Sequence, residues 1–332
     1  MSRLDSPLLV VVEPSPEPGE RAGTKASRQL LAFASTLTLG EVCALYLGSE
    51  PDVAQLASLG ADQVFSVDVP GFNARVPAAG ADALAAAMDA CPNLVGVLLP
   101  STYVGRAAAA MVATASGLGV GIDVSGVEVQ GGALVGLKSA LQGSWKTSFT
   151  GQVPAIMAVR PGVGPEEGAE VPEGKATEAE VLTFDLSPAA QAVQVTSSTP
   201  QAGGERIPLS DAEVVVVAGR GIDGDTEMVE SLADALGAAI GATRVVCDEG
   251  WLPRACQIGQ TGETIAPKVY LGLGVSGAIH HVSGVLASEN ILAVVDDPDA
   301  PILEIADFAV VGDVSEVVPQ LLEQLTNASS GD

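Results

Sequence analysis

The chain has 332 residues, of which 47% are hydrophobic, so it is long enough for about two domains with substantial apolar cores. Its 41 acidic and 15 basic residues give a formal net charge of -26, and only 3% of its residues are aromatic. Both features argue against a nucleic-acid partner, because Lys and Arg neutralise phosphates and aromatic side chains stack on bases. The acidity is typical of a solvated surface that aids solubility, and an adaptation to high salt stays open.

Composition also argues against a membrane span, a secretory signal and a metal site. No stretch approaches about 18 consecutive apolar residues, and no small-residue cleavage site follows the short apolar run near the N-terminus. The four cysteines form no C-x-x-C pair, and the two adjacent histidines do not make a ligand cluster. We therefore expect a cytoplasmic protein with reduced, mostly buried thiols and no metal.

The first half alternates short apolar runs with stretches of helical period. Strands apolar on both faces and separated by helices predict a parallel sheet covered on both sides. A region of short strands joined by glycine turns follows at 121–162. We expect strands at 8–12, 42–48, 63–68 and 93–100, and helices at 25–37, 52–60, 79–90 and 105–119.

The second half restarts the alternation after a segment rich in Pro, Gly and acid at 163–205, which we interpret as a linker or edge segment. The pattern predicts a second, smaller doubly wound α/β domain. It also contains an aperiodic stretch at 249–267, and long aperiodic segments in compact domains are often functional. We expect strands at 214–218, 244–248, 268–274, 290–295 and 307–313, with helices at 226–241, from near Ser276, and at 314–325.

A glycine-rich turn, Gly272-x-Gly274-x-x-Gly277, follows one of these strands and precedes both histidines. With Asp296 and Asp297 further on, it has the outline of a nicotinamide-dinucleotide fingerprint, in which backbone N–H groups at a helix start bind phosphate. However, two βα units precede it, whereas the fingerprint normally opens its domain. The aspartates also precede Pro298 and are equally typical of a turn.

Other polar side chains stand where strands end. Arg220 follows a strand, which is where open α/β sheets place ligands. Arg244 opens an otherwise apolar run; it is either a buried cation that faces an anionic ligand or the partner of Asp248. The stretch 257–262, QIGQTG, offers hydrogen-bond donors to a heteroaromatic ring, or is only a turn.

Two further patterns give weaker signals. In the first half, Ser101, Thr102 and Arg106 form either a nucleotide site or a plain helix start with an N-cap. The chain has no G-x-S-x-G elbow and no Cys–His set at a known spacing, so hydrolysis has little support.

Six motifs of the second half occur together and in order: GRG, GAxR, QxGQTG, GxSGAIxH, DPxAPI and ADFxVVGD. As a set they resemble the α subunit of electron-transfer flavoprotein, over nearly all of residues 212–326. A looser match covers the first half at 105–106, 117–127 and 158–162.

The resemblance implies an N-terminal parallel-sheet, nucleotide-hydrolase-like α/β domain at 1–162 that contacts a partner subunit, and an FAD-binding domain at 206–332. It implies an electron carrier rather than an enzyme, paired with a β subunit that holds AMP or a second FAD. Acyl-CoA dehydrogenases of fatty acid β-oxidation, or other flavin dehydrogenases, would donate electrons. A quinone oxidoreductase or another acceptor would take them, and a bifurcating complex stays open.

The resemblance also assigns residues to the FAD. Arg220, Thr243 and Arg244 would surround the flavin and phosphates, and Thr261 would lie near N5 of the ring. His281 would lie at the pyrimidine edge, and its partial charge, with that of Arg244, would favour an anionic reduced flavin. Arg244, Thr261 and His281 would thus tune the flavin. The remaining implied contacts are Ile258, Gly259 and Gln260 at the ring, Ser276 and Gly277 at the pyrophosphate, Asp313 on the adenosine side, and Ala278, Ile279, His280, Val295 and Val314.

The sequence departs from the family pattern at three places. Val295-Asp296-Asp297-Pro298 stands where the family usually has NKDP, Glu263 stands where Lys or Arg is common, and His280 stands where Gln is frequent. Two alternatives therefore remain: a nicotinamide-dependent dehydrogenase that uses the glycine turn, and a divergent nucleotide-binding module without redox function.

Overall fold

The computed structural model describes residues 3–16, 19–140, 145–165, 170–197 and 207–329. The chain divides into two units, Met1–Ser197 and Ser198–Asp332. The boundary that we predicted near residue 205 falls outside the described residues, so it stays a prediction.

The first unit is built on a seven-stranded sheet of strands β1 (Leu8–Val12), β2 (Val42–Tyr46), β3 (Gln63–Val67), β4 (Gly96–Pro100), β5 (Val120–Val124), β9 (Ala155–Val159) and β10 (Ala179–Leu182). Every pair of neighbouring strands is parallel, and their order across the sheet is β10-β3-β2-β1-β4-β9-β5. Its helices are α1 (Lys25–Leu37), α2 (Val53–Ser58), α3 (Pro77–Ala90), α4 (Tyr103–Ser116) and α5 (Pro188–Gln191).

Strand β1 shows why this sheet forms. Leu8, Val10 and Val12 belong to one apolar cluster, which includes residues of α1. Leu9 and Val11 belong to a second cluster, which includes residues of α3 and α4. Since successive side chains point to opposite faces of a strand, a run apolar at every position is buried on both sides. The prediction of a parallel sheet covered on both faces is confirmed.

Three more strands form a separate antiparallel sheet, β6 (Gly126–Gln130), β7 (Ala133–Ala140) and β8 (Trp145–Thr150). Gly131 and Gly132, both with positive φ, make the turn between the first two. Within the segment predicted as linker or edge, β10 pairs with β3 at the border of the large sheet. That part of the segment is therefore an edge strand.

The second unit has a five-stranded parallel sheet of strands β11 (Val214–Ala218), β12 (Ala239–Ala242), β13 (Val269–Leu273), β14 (Asn290–Val295) and β15 (Phe308–Val311). Their order across the sheet is β12-β11-β13-β14-β15. Strand β12 is added on one side of β11 and the later strands on the other side, and ligands bind at such a switch point between β11 and β13. The helices are α6 (Thr226–Leu236), α7 (Arg244–Asp248), α8 (Ile279–Val282) and α9 (Val314–Ser329).

The two faces of this smaller sheet are covered differently. Residues of α6 and α9 pack on one face, together with Trp251 and Leu252. The other face is covered by Ile258, Ile265, Val275 and Val285, which lie in irregular segments after the strands. The doubly wound α/β fold is thus confirmed, and irregular chain rather than long helix forms one of its layers.

Two local predictions are wrong in this unit. The run 244–248 is helix α7 rather than a strand, and 239–242, which we assigned to the end of a helix, is strand β12. Gly237 in the left-handed conformation ends α6 and lets the chain return to the sheet. Val245 is exposed, whereas the next two residues, Val246 and Cys247, are buried, as expected for a short helix with one buried face.

The helix that we placed near Ser276 begins instead at Ile279 and has four residues. Among the described residues, no helix is long and apolar enough to cross a lipid bilayer.

Candidate functional site

A cavity of about 700 Å³ lies at the carboxyl ends of the strands of the second unit. Each of the five strands contributes residues that immediately follow or end it, so the sheet itself gathers them. The lining consists of Arg220, Gly221 and Asp223 after β11; Thr243, Arg244 and Val245 after β12; Gly274, Val275, Ser276, Gly277 and Ala278 after β13; Val295, Asp296 and Asp297 at the end of β14; Asp313 and Val314 after β15; and Gln257, Ile258, Gly259, Gln260, Thr261, His280 and His281.

The switch point is closed by contact between two backbone turns. The Gly219 N–H donates to Leu273 O at 2.8 Å, and the Gly221 N–H donates to Gly274 O at 3.1 Å. A Cβ at Gly219 would overlap Gly274 O, and a Cβ at Gly274 would meet Gly221 Cα. The glycines of both turns are therefore needed for the close approach that forms the floor of the cavity.

The turn after β13 presents unpaired backbone donors. In the described part of the chain, the amides of Val275, Ser276, Gly277 and Ala278 donate no hydrogen bond to another protein group. Gly277 has φ +84°, and a Cβ there would overlap Ile302 N. Successive free amides beside a left-handed residue bind anions, so the turn fits a phosphate or diphosphate. Helix α8 has only four residues, so its dipole adds little and the amides themselves are the donors.

The loop 257–263 forms a second wall and is closed on itself. The Glu263 N–H donates to Gln257 O at 2.8 Å, and the Gly259 N–H donates to Glu263 O at 3.0 Å. Gly259 has φ +137°, where a Cβ would overlap His280 O, and a Cβ at Gly262 would overlap Gln257 O. The glycines of QIGQTG therefore hold Gln260 and Thr261 in fixed places beside the cavity.

Side-chain hydrogen bonds hold the polar groups of this wall. Gln257 is buried, and its Nε2 donates to Thr261 Oγ1 at 3.0 Å. His280 is exposed, and its Nδ1 lies 2.6 Å from Gln260 Oε1, while the Gln260 N–H donates to His280 O at 2.7 Å. Both adjacent histidines thus line the cavity, one exposed and one buried.

His281 is the buried one, at 5% exposure, and both of its ring nitrogens have protein partners. Nδ1 lies 3.1 Å from Ile258 O, and Nε2 lies 2.9 Å from the hydroxyl of Tyr270. Burial lowers the pKa of His281 to about 4, against the opposite effect of the bond to Ile258. His281 is therefore neutral at pH 7, which corrects the expectation that its partial charge favours an anionic flavin.

Three further polar side chains line the cavity after β11 and β12. Arg220 is exposed at the start of a 3₁₀ turn directly after β11. Thr243 precedes α7, and its hydroxyl makes no capping hydrogen bond to that helix. The side chain of Arg244 is 71% exposed, so the interpretation of Arg244 as a buried cation is wrong. Its Nε lies 3.2 Å from Asp248 Oδ2, which confirms the alternative interpretation, a pairing with Asp248.

The rim of the cavity carries four aspartates, Asp223, Asp296, Asp297 and Asp313. Asp223 has φ +49°, a left-handed conformation that costs energy for a residue other than glycine. Asp313 accepts hydrogen bonds from the N–H of Ser315 at 2.8 Å and from its hydroxyl at 2.6 Å, and these bonds lower the pKa of Asp313. Despite this acidity, no group of three or more potential metal ligands occurs among the described residues.

The structure brings together every residue that the resemblance assigned to the FAD except Ile279, which does not line the cavity. The resemblance did not assign the other lining positions, although Gln257 lies in the QIGQTG stretch and Gly274, Asp296 and Asp297 belong to the glycine-turn pattern. A further signal was position, since each of the other lining positions is adjacent to a named residue or follows a strand. These positions are Gly221, Asp223, Val245, Gln257, Gly274, Val275, Asp296 and Asp297.

The alternative nucleotide site in the first unit is a helix start. Thr102 Oγ1 accepts from the Gly105 N–H at 2.9 Å, which is the N-cap interpretation, and donates to Glu13 Oε1 at 2.6 Å. Ser101 donates to Asp123 at 2.7 Å, and Arg106 pairs with the same carboxylate at 3.3 Å. Ser101, Thr102 and Arg106 therefore interact with carboxylates of the protein itself.

Comparisons with known proteins agree on one family. Residues 19–189 match the electron transfer flavoprotein domain, and residues 208–286 match the electron transfer flavoprotein FAD-binding domain. The second match contains the switch-point glycines, the 257–263 loop and both histidines. It favours FAD over the nicotinamide cofactor suggested by the glycine turn alone.

Curated relatives cover nearly the whole chain. A protein named electron transfer flavoprotein subunit alpha from Mycobacterium leprae (strain TN) is 38% identical, over 95% of this chain and 96% of its own. Proteins of the same name from Syntrophomonas wolfei and Mycobacterium tuberculosis (strain ATCC 25618 / H37Rv) are each 36% identical, over 86% and 96% of this chain and 90% and 98% of their own. With a family match over half of the chain, the chain belongs to the electron transfer flavoprotein alpha subunit family, and its second unit carries the FAD-binding domain.

Proposed function

We propose that this chain is the FAD-bearing subunit of a cytoplasmic electron carrier that works as a heterodimer with a β subunit. It accepts electrons from acyl-CoA-type or other flavin dehydrogenases and passes them to a quinone oxidoreductase or another acceptor. The observation that carries the proposal is the shared cavity at the five strand ends, where a turn of free amides faces the same space as the 257–263 loop. Bound FAD supplies the redox chemistry, which no side chain of the protein can supply.

The residues of the chain divide the work of binding. The amides of 275–278 and Ser276 hold the diphosphate, because successive N–H groups and a hydroxyl match its oxygens without requiring positive charge. Arg220, Thr243 and Arg244 offer cationic and hydroxyl donors after β11 and β12. Gln260 and Thr261 face the edge of the flavin ring.

The proposed role of His281 follows from its fixed hydrogen bonds. As a neutral, buried imidazole it contributes shape and a dipole at the ring edge rather than a charge. Arg220 and Arg244 are then cations that line the cavity, although solvent screens the exposed guanidinium of Arg244.

Co-expression with an electron transfer flavoprotein β subunit tests the proposal. We expect a yellow heterodimer that releases FAD on denaturation and is reduced by an acyl-CoA dehydrogenase with its substrate. A colourless chain that binds NAD instead would support a nicotinamide enzyme. A chain that binds neither cofactor would support a module without redox function.

A further inference from the structure

A continuous set of side-chain hydrogen bonds joins two residues that line the cavity, Arg244 and Thr261. Arg244 Nε lies 3.2 Å from Asp248 Oδ2, and Arg254 Nη2 pairs with the other oxygen, Asp248 Oδ1. Arg254 Nη1 then donates to Gln257 Oε1 at 2.8 Å, and Gln257 Nε2 donates to Thr261 Oγ1 at 3.0 Å. Asp248 and Arg254 lie outside the lining of the cavity, so they act through the residues that line it.

The direction of each bond in this set follows from chemistry. A guanidinium has only donors, so the atom of Gln257 that faces Arg254 must be its carbonyl oxygen. That choice turns the amide nitrogen toward Thr261, where it donates to the hydroxyl oxygen. The single hydroxyl proton of Thr261 is then free to donate into the cavity.

The opposite amide orientation would have the opposite result. With Gln257 Oε1 toward Thr261, the threonine hydroxyl would donate to the amide and would have no proton left for a ligand. The amide nitrogen would meanwhile face the donors of Arg254, which is unfavourable. Since Gln257 is 4% exposed, water cannot readily replace either partner.

We propose that Arg254, held by Asp248, is a positioning residue that orients the Gln257 amide and thereby keeps the Thr261 hydroxyl as a hydrogen-bond donor to the flavin. This inference rests on the proposed function, in which Thr261 contacts the ring. A hydroxyl that donates to the ring stabilises the anionic one-electron reduced flavin, whose ring carries more negative charge, more than the oxidised flavin. Arg254 therefore raises the potential of the first one-electron reduction through Gln257 and Thr261 rather than by its own charge.

A double-mutant cycle on the FAD-loaded heterodimer separates these two routes. Arg254→Met removes the guanidinium and keeps much of the side-chain volume, and Thr261→Val removes the hydroxyl. We expect Arg254→Met to weaken the preference for one-electron reduced over oxidised flavin about tenfold, which is about 60 mV for a one-electron couple. In the Thr261→Val background the same change should have little further effect. An equal shift in both backgrounds would show a charge effect and overturn the inference.

Gln257→Glu provides a second test, because it places an acceptor where the amide donor faces Thr261. It should lower the potential more in the presence of Thr261 than in the Thr261→Val background, where only the added negative charge acts. Lys268→Met is the matched control: it removes a cation of the same unit that pairs with Glu213 at 3.0 Å and does not line the cavity, so the potential should not change.

One readout does not depend on the flavin. The side-chain amide protons of Gln257 can be followed by NMR in the ¹⁵N-glutamine-labelled heterodimer, and in the wild type they should exchange slowly with solvent. Their chemical shifts should change in Arg254→Met but not in Lys268→Met. Unchanged amide signals in Arg254→Met would overturn the inference. A heterodimer that carries no FAD would instead refute the proposed function, whatever these amide signals show.

Discussion

The hydroxyl of Tyr270 lies 2.9 Å from Nε2 of His281, and both side chains are buried. Because Nδ1 of His281 faces the carbonyl of Ile258, which can only accept, Nδ1 carries the ring proton. Nε2 must then accept from Tyr270, whose pKa is raised by burial so that its hydroxyl remains protonated. The pair thus fixes one tautomer of the histidine at the cavity.

The first prediction is that His281 titrates far below an ordinary histidine. Its pKa of about 4 lies under the usual 6.5 because burial disfavours the imidazolium. The chain has two histidines, so ring NMR signals are assigned by the His280→Gln variant. We expect His281 to stay neutral, protonated on Nδ1, until about pH 4. Titration near 6.5 would contradict the prediction.

The pH dependence of stability follows from the same shift. Between pH 6.5 and 4 the unfolded chain binds a proton at His281 that the folded chain does not. The free energy of unfolding therefore decreases as the pH falls through this window. Tyr270→Phe removes a hydrogen bond to the neutral form, so we expect it to raise the pKa of His281. An unchanged pKa in that variant would show that Tyr270 does not fix the tautomer.

The second prediction concerns the turn of free amides. Gly277→Ala forces a side chain onto φ +84° and into Ile302 N, so the turn must move. We expect at least about tenfold weaker FAD binding, measured by fluorescence titration of the apo heterodimer, because misplaced donors lose hydrogen bonds to the diphosphate. The matched control is Gly237→Ala, at φ +60° with open space around its Cβ. The control should lose about 1 kcal/mol of stability and bind FAD normally.

The third prediction separates charge from stability at Arg244. Its exposed i,i+4 pair with Asp248 contributes only about 0.3–0.5 kcal/mol, so Arg244→Ala should unfold at nearly the wild-type temperature. We expect its flavin potential to fall, because a cation at the cavity favours reduced flavin. Arg21→Ala, which breaks an exposed pair with Glu50 in the first unit, should change neither quantity. A wild-type potential in Arg244→Ala would remove the proposed role of this residue.

The fourth prediction lies in the first unit. Burial raises the pKa of Glu13, against the opposing effect of the hydrogen bond from Thr102. A raised pKa means that the charged form opposes folding, so this contribution to stability is complete below about pH 4.5 and is lost as the pH rises. Glu13→Gln keeps an acceptor for Thr102 without the charge. We expect a higher melting temperature than wild type at pH 7 and a smaller difference at pH 4; no difference at pH 7 would contradict this.

The sequence predicted most of the fold because burial on two faces leaves an unambiguous pattern. Helix α1 occupies the predicted 25–37, with Thr24 as its N-cap. The errors fall where local and tertiary preferences disagree. The apolar residues of 244–248 suggested a strand, yet the neighbouring 239–242 pairs with β11, and Gly237 was the overlooked helix end.

The candidate site was predictable as a set of residues but not as an electrostatic arrangement. Each named residue follows or ends a strand, or belongs to the glycine-rich loop, and parallel topology brings these segments to one edge. Whether a side chain is charged there depends on contacts distant in sequence. His281 is neutral because burial disfavours its charged form, against the opposite effect of the bond to Ile258, and Arg244 is exposed because 244–248 is a helix.

The acidic rim has a consequence for cofactor retention at different ionic strengths. Four aspartates and two arginines line a cavity whose proposed diphosphate contacts are uncharged amides. The Debye length is about 10 Å at 0.1 M salt, so added salt weakens the repulsion between the exposed carboxylates and a dianionic ligand, but it does not weaken hydrogen bonds from neutral amides. Cofactor binding here should therefore withstand, and even gain from, salt concentrations that release phosphate ligands from sites built on lysine and arginine.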